Sequence, residues 1–357
     1  MNKKLISIVA LVIVVILGVW TIQNKTTTSK EVIKIGVVAP LTGSAAAFGS
    51  TFAKGIEMAA IDISKTDTKY KYEVVVEDDG STPAKASAAA SKLINIDNVR
   101  AILSSTGATG NSVKTLAEKA GVIHISNSKD TSIGNVPYNF TNLMLPQDEV
   151  VMWVEKAVKD GNKTVAILSQ VHPGAVMSVN AFLPEAEKQG LKVVYNESFS
   201  GDNRDFKTII AKAKQSKADI YLVESYPPAL DILTKELMDA GIKNISTMSL
   251  FTTSQNPNLF NGLWYTDSTL SDASFKDSFT KLYPTLKFNV TTTPYGYDSF
   301  MMLVQSFEKG GDAFVNMKNI TEYDGKAGKT TKVLGGQNFK TEASIWTMKN
   351  GVPEIIK

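Results

Sequence analysis

One stretch of the chain, residues 33–80, constrains the fold most, because it places a strand, a loop, a helix and a second strand in succession. The run from Val32 to Ala39 is almost continuously apolar and rich in β-branched residues, as expected of a strand covered on both faces. A helix is predicted to open after Gly49-Ser50. Its apolar residues recur at steps of four, three and four and share one face: Phe52, Ile56, Ala59 and Ile63. This order predicts a layered α/β domain with a parallel sheet.

The alternation of strand and helix continues along the chain in two successive series. Strands are predicted near 72–77, 100–103 and 122–125, and a second series starts with a strand at 164–168. At 357 residues and 43% hydrophobic content, the chain exceeds the usual size of a single domain. We therefore expect two lobes.

The N-terminal residues carry a different signal from the rest of the chain. An uncharged apolar run from Leu5 to Trp20 follows Lys3 and Lys4. This arrangement predicts an export signal that leaves the body outside the cytoplasmic membrane. No small-residue cleavage pattern follows the run, which favours an uncleaved membrane anchor at 1–22 with a tether at 23–31. The alternative is a cleaved signal and a periplasmic or secreted body.

Residues that catalysis or a cofactor requires are scarce. The chain has no cysteine and two histidines, His124 in an apolar strand and His172 in a loop. We interpret His124 as a structural histidine, and at least one of the adjacent carboxylates Asp78 and Asp79 as structural or capping. The sequence shows neither a phosphate-binding loop nor metal-ligand spacing, and its net charge is only +3. We expect no catalytic residue, no cofactor, no metal and no nucleic-acid partner.

Several segments carry a resemblance to a known family. They include "IKIGVVAPLTGSAAAFGSTFAKGIEMAAIDI", "YEVVVEDDGSTPAKASAAASKLI", "ADIYLVESYPPALDILTKELMDAGI" and "TPYGYDSFMMLVQSFEKGG". In order and spacing they resemble the branched-chain amino-acid (Leu/Ile/Val)-binding family of extracytoplasmic solute receptors. The resemblance extends discontinuously over most of the chain after the tether.

The resemblance implies the type I periplasmic binding protein fold, with two Rossmann-like lobes, parallel-type sheets flanked by helices, and a hinge. Lobe one is expected to comprise 32–146 plus about 270–320, and lobe two 147–269 plus about 321–357. It also implies a monomer that captures a small solute, an amino acid or a related compound, by hinge closure and delivers it to the permease subunits of an ABC transporter. A ligand-sensing ectodomain that signals to a membrane partner remains the alternative.

Strand-end loops of lobe one supply the first half of the predicted ligand site. Phe48 is presented in the loop after the first strand. The segment 104–109 either caps the next helix or holds a ligand carboxylate with its hydroxyl and main-chain groups. The resemblance favours the carboxylate role and extends it to the end of the following strand, although Lys129-Asp130 departs there from the family's small and hydroxyl residues. The residues implied are Thr106, Gly107, Ala108, Thr109, Ser126 and Ser128.

Residues of lobe two supply the second half of the predicted ligand site. Tyr226 matches the tyrosine with which the family closes over its ligand, and His172 stands where a second closing aromatic is expected, unless it serves only the turn. Phe251 lies near the position at which amino-acid binders carry the acid for the ligand ammonium. Glu224 is the candidate replacement for that acid, unless it is an exposed strand-end charge. Without such an acid, the pocket suits an uncharged or aromatic-faced solute.

Overall fold

The computed structural model describes residues 30–43, 45–254 and 256–356. The predicted anchor at 1–22 and most of the predicted tether at 23–31 lie outside these residues. Among the described helices, none combines the length and the apolar character needed to cross a membrane.

Strands and helices alternate along most of the described chain. The strands are β1 Val32–Ala39, β2 Lys71–Asp78, β3 Ala101–Ser104, β4 Ile123–Ser126, β5 Asn139–Asn142, β6 Thr164–Gln170, β7 Lys192–Phe199, β8 Ile220–Glu224, β9 Ile245–Met248, β10 Trp264–Ser268, β11 Glu322–Gly325, β12 Gly328–Lys332, β13 Asn338–Thr341, β14 Ala343–Lys349 and β15 Val352–Ile355. The α-helices are α1 Ala46–Ser64, α2 Pro83–Asn95, α3 Gly107–Ala120, α4 Pro146–Lys159, α5 Pro173–Lys188, α6 Lys207–Gln215, α7 Ala229–Asp239, α8 Ala273–Leu282, α9 Thr293–Glu308 and α10 Ala313–Lys318.

Within the described residues these strands form two sheets. The sheet of lobe one has the order β11-β12-β13-β5-β4-β3-β1-β2, and that of lobe two has the order β15-β14-β10-β9-β8-β6-β7. Pairing is parallel from β2 to β13 in the first sheet and from β7 to β10 in the second. Antiparallel strands extend one edge of each sheet. The predicted fold class, two lobes of parallel-type sheet flanked by helices, is confirmed.

The predicted lobe boundary near residue 320 is wrong. Strands β11, β12 and β13 extend the first sheet, because β13 pairs in parallel with β5 through Asn338 and Phe339. The chain therefore re-enters lobe two only at β14, and lobe one includes residues 322–341. The two earlier crossings fall between β5 and α4 and between β10 and α8.

Strand β1 and helix α1 show how the opening stretch folds. Strand β1 is buried from Ile35 onward on both faces, as its sequence predicts. Helix α1, however, begins at Ala46 rather than after Gly49-Ser50. Gly49 lies inside the helix, at a position where a side chain would collide with the backbone of Pro40. The glycine permits close packing of the helix on the preceding loop, and does not mark the start of the helix.

A close contact between α1 and α9 fastens the returning segment to lobe one. At Gly55 an added Cβ would collide with the carbonyl oxygen of Thr293, and at Gly296 it would collide with that of Phe52. The two helices thus approach backbone to backbone, with Phe52 and Phe300 fully buried in the adjoining core.

We predict that Gly55→Ala destabilises the protein by about 1–3 kcal/mol, because the helix must move away from α9. Inside a helix, alanine is intrinsically favoured over glycine by about 1 kcal/mol. A decrease in the free energy of unfolding of Gly55→Ala therefore comes from the packing against α9. Urea unfolding measures the change, with Glu57→Ala on the exposed face of the same helix as control. A stability equal to or above that of the parent protein would contradict the close packing.

Candidate functional site

The candidate site lies in the cleft between the carboxyl ends of the two parallel sheets, where open α/β sheets bind ligands. Loops after β1, β3 and β4 form the wall of lobe one, and loops after β6, β8 and β9 form the wall of lobe two. The walls meet at Phe48 and Tyr226, whose ring centroids lie 6.4 Å apart in an edge-to-face arrangement. Phe48 therefore faces lobe two, although it stands in the first turn of α1 and not in a loop.

Asp78 braces the loop that carries Phe48. Its Oδ1 accepts hydrogen bonds from the backbone N–H groups of Leu41, Thr42 and Gly80, at 2.8, 3.2 and 2.8 Å. The Thr42 hydroxyl donates to Oδ2 at 2.6 Å. These donors, led by the Thr42 hydroxyl, lower the pKa of Asp78 to about 2. Asp78 is thus a structural carboxylate, which confirms the prediction made for the pair.

The N-terminus of α3 offers backbone donors. Thr106 is the N-cap, and its hydroxyl accepts the N–H of Thr109 at 3.1 Å. The Thr109 hydroxyl donates to the buried carboxylate of Asp79. Both threonine hydroxyls are therefore engaged within the protein. The N–H groups of Gly107 and Ala108 have no acceptor among the described residues, which leaves them available to an anion.

Ser105, directly before this cap, lies in the predicted segment 104–109 but is not among the residues singled out there as ligand-binding. Its side chain is buried, and its hydroxyl has no hydrogen-bond partner in the described part of the chain. A buried hydroxyl without a partner carries a free-energy cost that a bound ligand or water removes. The Ser105 hydroxyl and the two free N–H groups lie within four consecutive residues and form the polar end of the wall of lobe one.

Ser126 and Ser128 are less free than predicted. Ser126 is fully buried, and its hydroxyl accepts from Ser104 at 3.0 Å. Ser128 accepts the N–H of Asp130 at 2.9 Å. Both hydroxyls therefore stabilise the loop after β4.

His124 lies beneath that loop and is hydrogen-bonded through both of its ring nitrogens. Its ring nitrogens lie 2.8 Å from the Ser104 hydroxyl and 2.6 Å from the Asn139 side-chain oxygen. Complete burial lowers the pKa of His124 to about 4. The prediction of a structural histidine is confirmed.

Tyr226 and His172 form the rim of lobe two. Their ring centroids are 4.6 Å apart, and the Tyr226 N–H donates to the side chain of Gln170 at 2.9 Å. Burial raises the pKa of Tyr226 to about 12, so its hydroxyl stays neutral. His172 is also the N-cap of α5, where its Nδ1 accepts the N–H of Gly174 at 3.2 Å. The turn role of His172 is confirmed, and its contact with a ligand stays a prediction.

Phe251 does not face the cleft, and its predicted place in the site is wrong. It is fully buried, with ring centroids 4.4 Å from Phe260 and 5.6 Å from Tyr265. The short 3-10 turn Phe251–Thr253 carries the ring into the core of lobe two, where it gains the contacts of two other aromatic rings.

Glu224 is buried, not an exposed strand-end charge. Its Oε1 accepts the N–H of Met248 at 2.7 Å and the hydroxyl of Thr247 at 2.9 Å. Its Oε2 has no hydrogen-bond partner among the described residues. Burial raises the pKa of Glu224 to about 8, with a smaller contribution from the nearby carboxylate of Glu149.

Two further charged residues meet in the cleft without having been predicted. Lys129, in the loop after β4 of lobe one, forms an ion pair with Glu149 in the first turn of α4 in lobe two. Glu149 is fully buried and also accepts the hydroxyl of Ser249. Burial alone would lower the pKa of Lys129, but Glu149, Glu224 and Asp267 raise it. The only sequence signal was the departure of Lys129 from the family's small residues, since no spacing rule connects it to Glu149.

The described site contains donors, acceptors and aromatic faces. No group of three or more His, Cys, Asp or Glu side chains able to hold a metal is found in the described parts of the chain. The arrangement suits the reversible binding of a small polar solute, with donors on lobe one and aromatic rings closing from lobe two.

A family model described as periplasmic binding protein matches residues 32–349. Among curated relatives, the chain is 28% identical over 221 residues to Leu/Ile/Val-binding protein homolog 3 of Brucella melitensis, with 59% of each chain aligned. It is 27% identical over 224 residues to the leucine-, isoleucine-, valine-, threonine- and alanine-binding protein of Pseudomonas aeruginosa, aligning 59% of this chain and 58% of that one. The chain thus spans less than two thirds of the length of these relatives.

Solved structures share the fold. The substrate-binding protein LivJ from Streptococcus pneumoniae, in complex with isoleucine, superposes with a TM-score of 0.81 at 21% identity, covering 92% of this chain and 100% of that one. A solute-binding protein from R. palustris in complex with 4-hydroxybenzoate gives a TM-score of 0.77 at 22% identity, covering 92% and 96%.

We predict that the stability of the protein falls as the pH rises from about 5 to 8, and that Glu224→Gln reduces this slope. In that window the folded state holds a proton on Glu224 that the unfolded state has lost, since the pKa of an unfolded glutamic acid is about 4.3. Each unit of difference in pKa corresponds to about 1.4 kcal/mol. Urea unfolding at several pH values measures the slope, with the exposed Glu155→Gln as control. Parallel profiles for the parent protein and Glu224→Gln would contradict the raised pKa.

Proposed function

The chain belongs to the periplasmic binding protein family, and from this premise we propose that it is the extracytoplasmic substrate-binding component of an ABC transporter. The family is one of solute-binding proteins and not of enzymes, in agreement with the sequence prediction. In this proposal the protein captures a small solute between its lobes and delivers it to a membrane permease. The observation that carries it is the contact of Phe48 with Tyr226, which closes two opposed strand-end walls over one cleft.

Hinge closure is the proposed mechanism. The three crossings between the lobes are short, so one lobe can rotate against the other without a change in either sheet. The solute docks on lobe one, and the rim of lobe two then covers it. Binding shifts an existing equilibrium toward the closed form, which the permease recognises.

The proposed solute carries a carboxylate and a small apolar body. Support comes from Ser105, whose buried hydroxyl lacks a partner in the described chain, and from the free N–H groups at the start of α3. Phe48, Tyr226 and His172 supply aromatic surface for the apolar part. The names of the relatives and neighbours, binders of leucine, isoleucine, valine or 4-hydroxybenzoate, describe solutes of this kind.

We also propose that the apolar run Leu5 to Trp20 holds the protein at the outer face of the cytoplasmic membrane. The run is uncharged, follows two lysines and is separated from β1 by a polar stretch. Recovery of peptides from before Thr21 in the membrane-bound protein, by mass spectrometry, is the direct check of this attachment.

A thermal-shift screen of residues 30–357 tests the proposed function. A ligand at 100 times its dissociation constant adds about 2.7 kcal/mol to the free energy of unfolding. The screen covers amino acids, their deaminated acids, amides, aromatic acids, nucleosides and short peptides. We expect saturable stabilisation by at least one small carboxylate. Stabilisation only by nucleosides or peptides, or by nothing in the screen, counts against the proposal.

We predict that Tyr226→Ala weakens the binding of the solute identified in that screen tenfold or more, about 1.4 kcal/mol, because the ring covers the closed cleft. Tyr226→Phe keeps the ring and should retain most of the affinity. Isothermal titration calorimetry measures both variants. An unchanged affinity in Tyr226→Ala removes Tyr226 from the site.

A further inference from the structure

The floor of the cleft holds a buried charged cluster, which comprises Lys129, Glu149, Glu224 and Asp267. Glu224 ends β8, and Asp267 lies in β10. Glu149 approaches the strand between them, since it accepts the hydroxyl of Ser249 just after β9. The three carboxylates therefore converge on the carboxyl ends of three neighbouring strands, the edge at which such a sheet meets its ligand.

One cation already occupies this floor. Lys129 reaches across from lobe one and pairs with Glu149, and the charges of Glu224 and Asp267 also act on its ammonium group. Its side chain is mostly buried, at 21% exposure, and that of Glu149 is 1% exposed. The ammonium of Lys129 thus lies at the floor of the cleft, close to all three carboxylates.

The other two carboxylates are partly hydrogen-bonded within the protein. Glu224 Oε1 accepts from the Met248 N–H and the Thr247 hydroxyl, and Asp267 Oδ1 accepts from the Thr291 hydroxyl at 2.7 Å and from the Ser268 N–H. The second oxygen of each has no partner in the described chain, and that of Asp267 is buried. Both are fully buried, and burial raises the pKa of Glu224 to about 8 and that of Asp267 to about 7. In the protonated form Glu224 is a hydrogen-bond donor.

We propose that Lys129 is the specificity-determining residue of the cleft, because its ammonium occupies the cation position beside these carboxylates and so selects a small carboxylic acid without an amino group. The proposal rests on the proposed function and deepens it. A ligand ammonium would lie beside that of Lys129, in a buried site where like charges repel strongly. A ligand carbonyl or hydroxyl, in contrast, accepts from Lys129 or from protonated Glu224.

Matched pairs of ligands that differ only in the amino group test this selection. Suitable pairs are leucine with 4-methylpentanoate, valine with 3-methylbutanoate, and phenylalanine with 3-phenylpropanoate, and 4-hydroxybenzoate is a further acid without an amine. Affinities are measured by calorimetry with the parent protein. We expect the deaminated member of at least one pair to bind a hundredfold or more tightly than its amino acid.

Lys129→Ala tests whether this residue causes the selection. Removal of the lysine leaves Glu149 without its cation, so the variant should lose the preference for the deaminated acid by tenfold or more. Propylammonium, which replaces the deleted side chain, should raise the melting temperature of Lys129→Ala in a saturable way. The matched control is Lys340→Ala, because Lys340 pairs with Asp148, next to Glu149, in the other ion pair between the lobes at this helix.

The outcomes separate this inference from the proposed function. Tighter binding of an amino acid than of its deaminated partner overturns the role of Lys129 and leaves the proposed function intact. If no member of any pair binds and the wider screen is also negative, both fail. An equal response of the parent protein, Lys129→Ala and Lys340→Ala to propylammonium also overturns the inference. Should Lys129→Ala not fold, Lys129→Met keeps the apolar stem and serves in its place.

Discussion

The parallel pairing at the centre of each sheet is the constraint on which the rest of the structure depends. Parallel strands all end at one edge, so the loops after β1, β3 and β4 are brought together although they lie far apart in the sequence. The same holds for β6, β8 and β9 in the second sheet. Three short crossings turn these two edges toward each other. The cleft, its aromatic rim and its charged floor follow from this geometry.

The polar groups at these edges divide into those that hold the loops and those that remain available. The first set forms hydrogen bonds with neighbouring loop groups and comprises Asp78, Asp79, Thr109 and Ser128. The N–H groups at the start of α3, one oxygen of Glu224, the Ser105 hydroxyl and Oδ2 of Asp267 have no partner within the described chain. The Ser105 hydroxyl and Oδ2 of Asp267 are buried. Because buried polar groups are nearly always paired in native proteins, these two atoms are sites for a ligand or for ordered water.

How far the sequence predicts this site depends on whether the signal is local. The strand at β1, the structural role of His124 and the fold class could be predicted because apolar runs and strand-helix alternation are local patterns. The lobe boundary could not, because only the pairing of β13 with β5 assigns residues 322–341 to lobe one. Phe251 was misplaced for a similar reason, since a 3-10 turn decides whether that ring meets the cleft or the core. The pairing of Glu149 with Lys129 could not be predicted either, because it depends on the contact between the lobes.

Within the described residues, the two ion pairs between lobe one and α4 differ in what they contribute to closure. Lys340 and Asp148 are about two fifths exposed, and a pair of that kind is worth at most about 1 kcal/mol because solvent screens it. Lys129 and Glu149 are mostly buried, so closing the cleft strips both of water, and their attraction offsets that cost only when the geometry is good. Neither pair is therefore a strong latch by itself. In the proposed hinge closure, a few hydrogen bonds and one aromatic cover from the ligand are then enough to shift the balance between the open and closed forms. In the proposed role of Lys129, the buried pair contributes less to the stability of the closed form than to the selection of the ligand's charge.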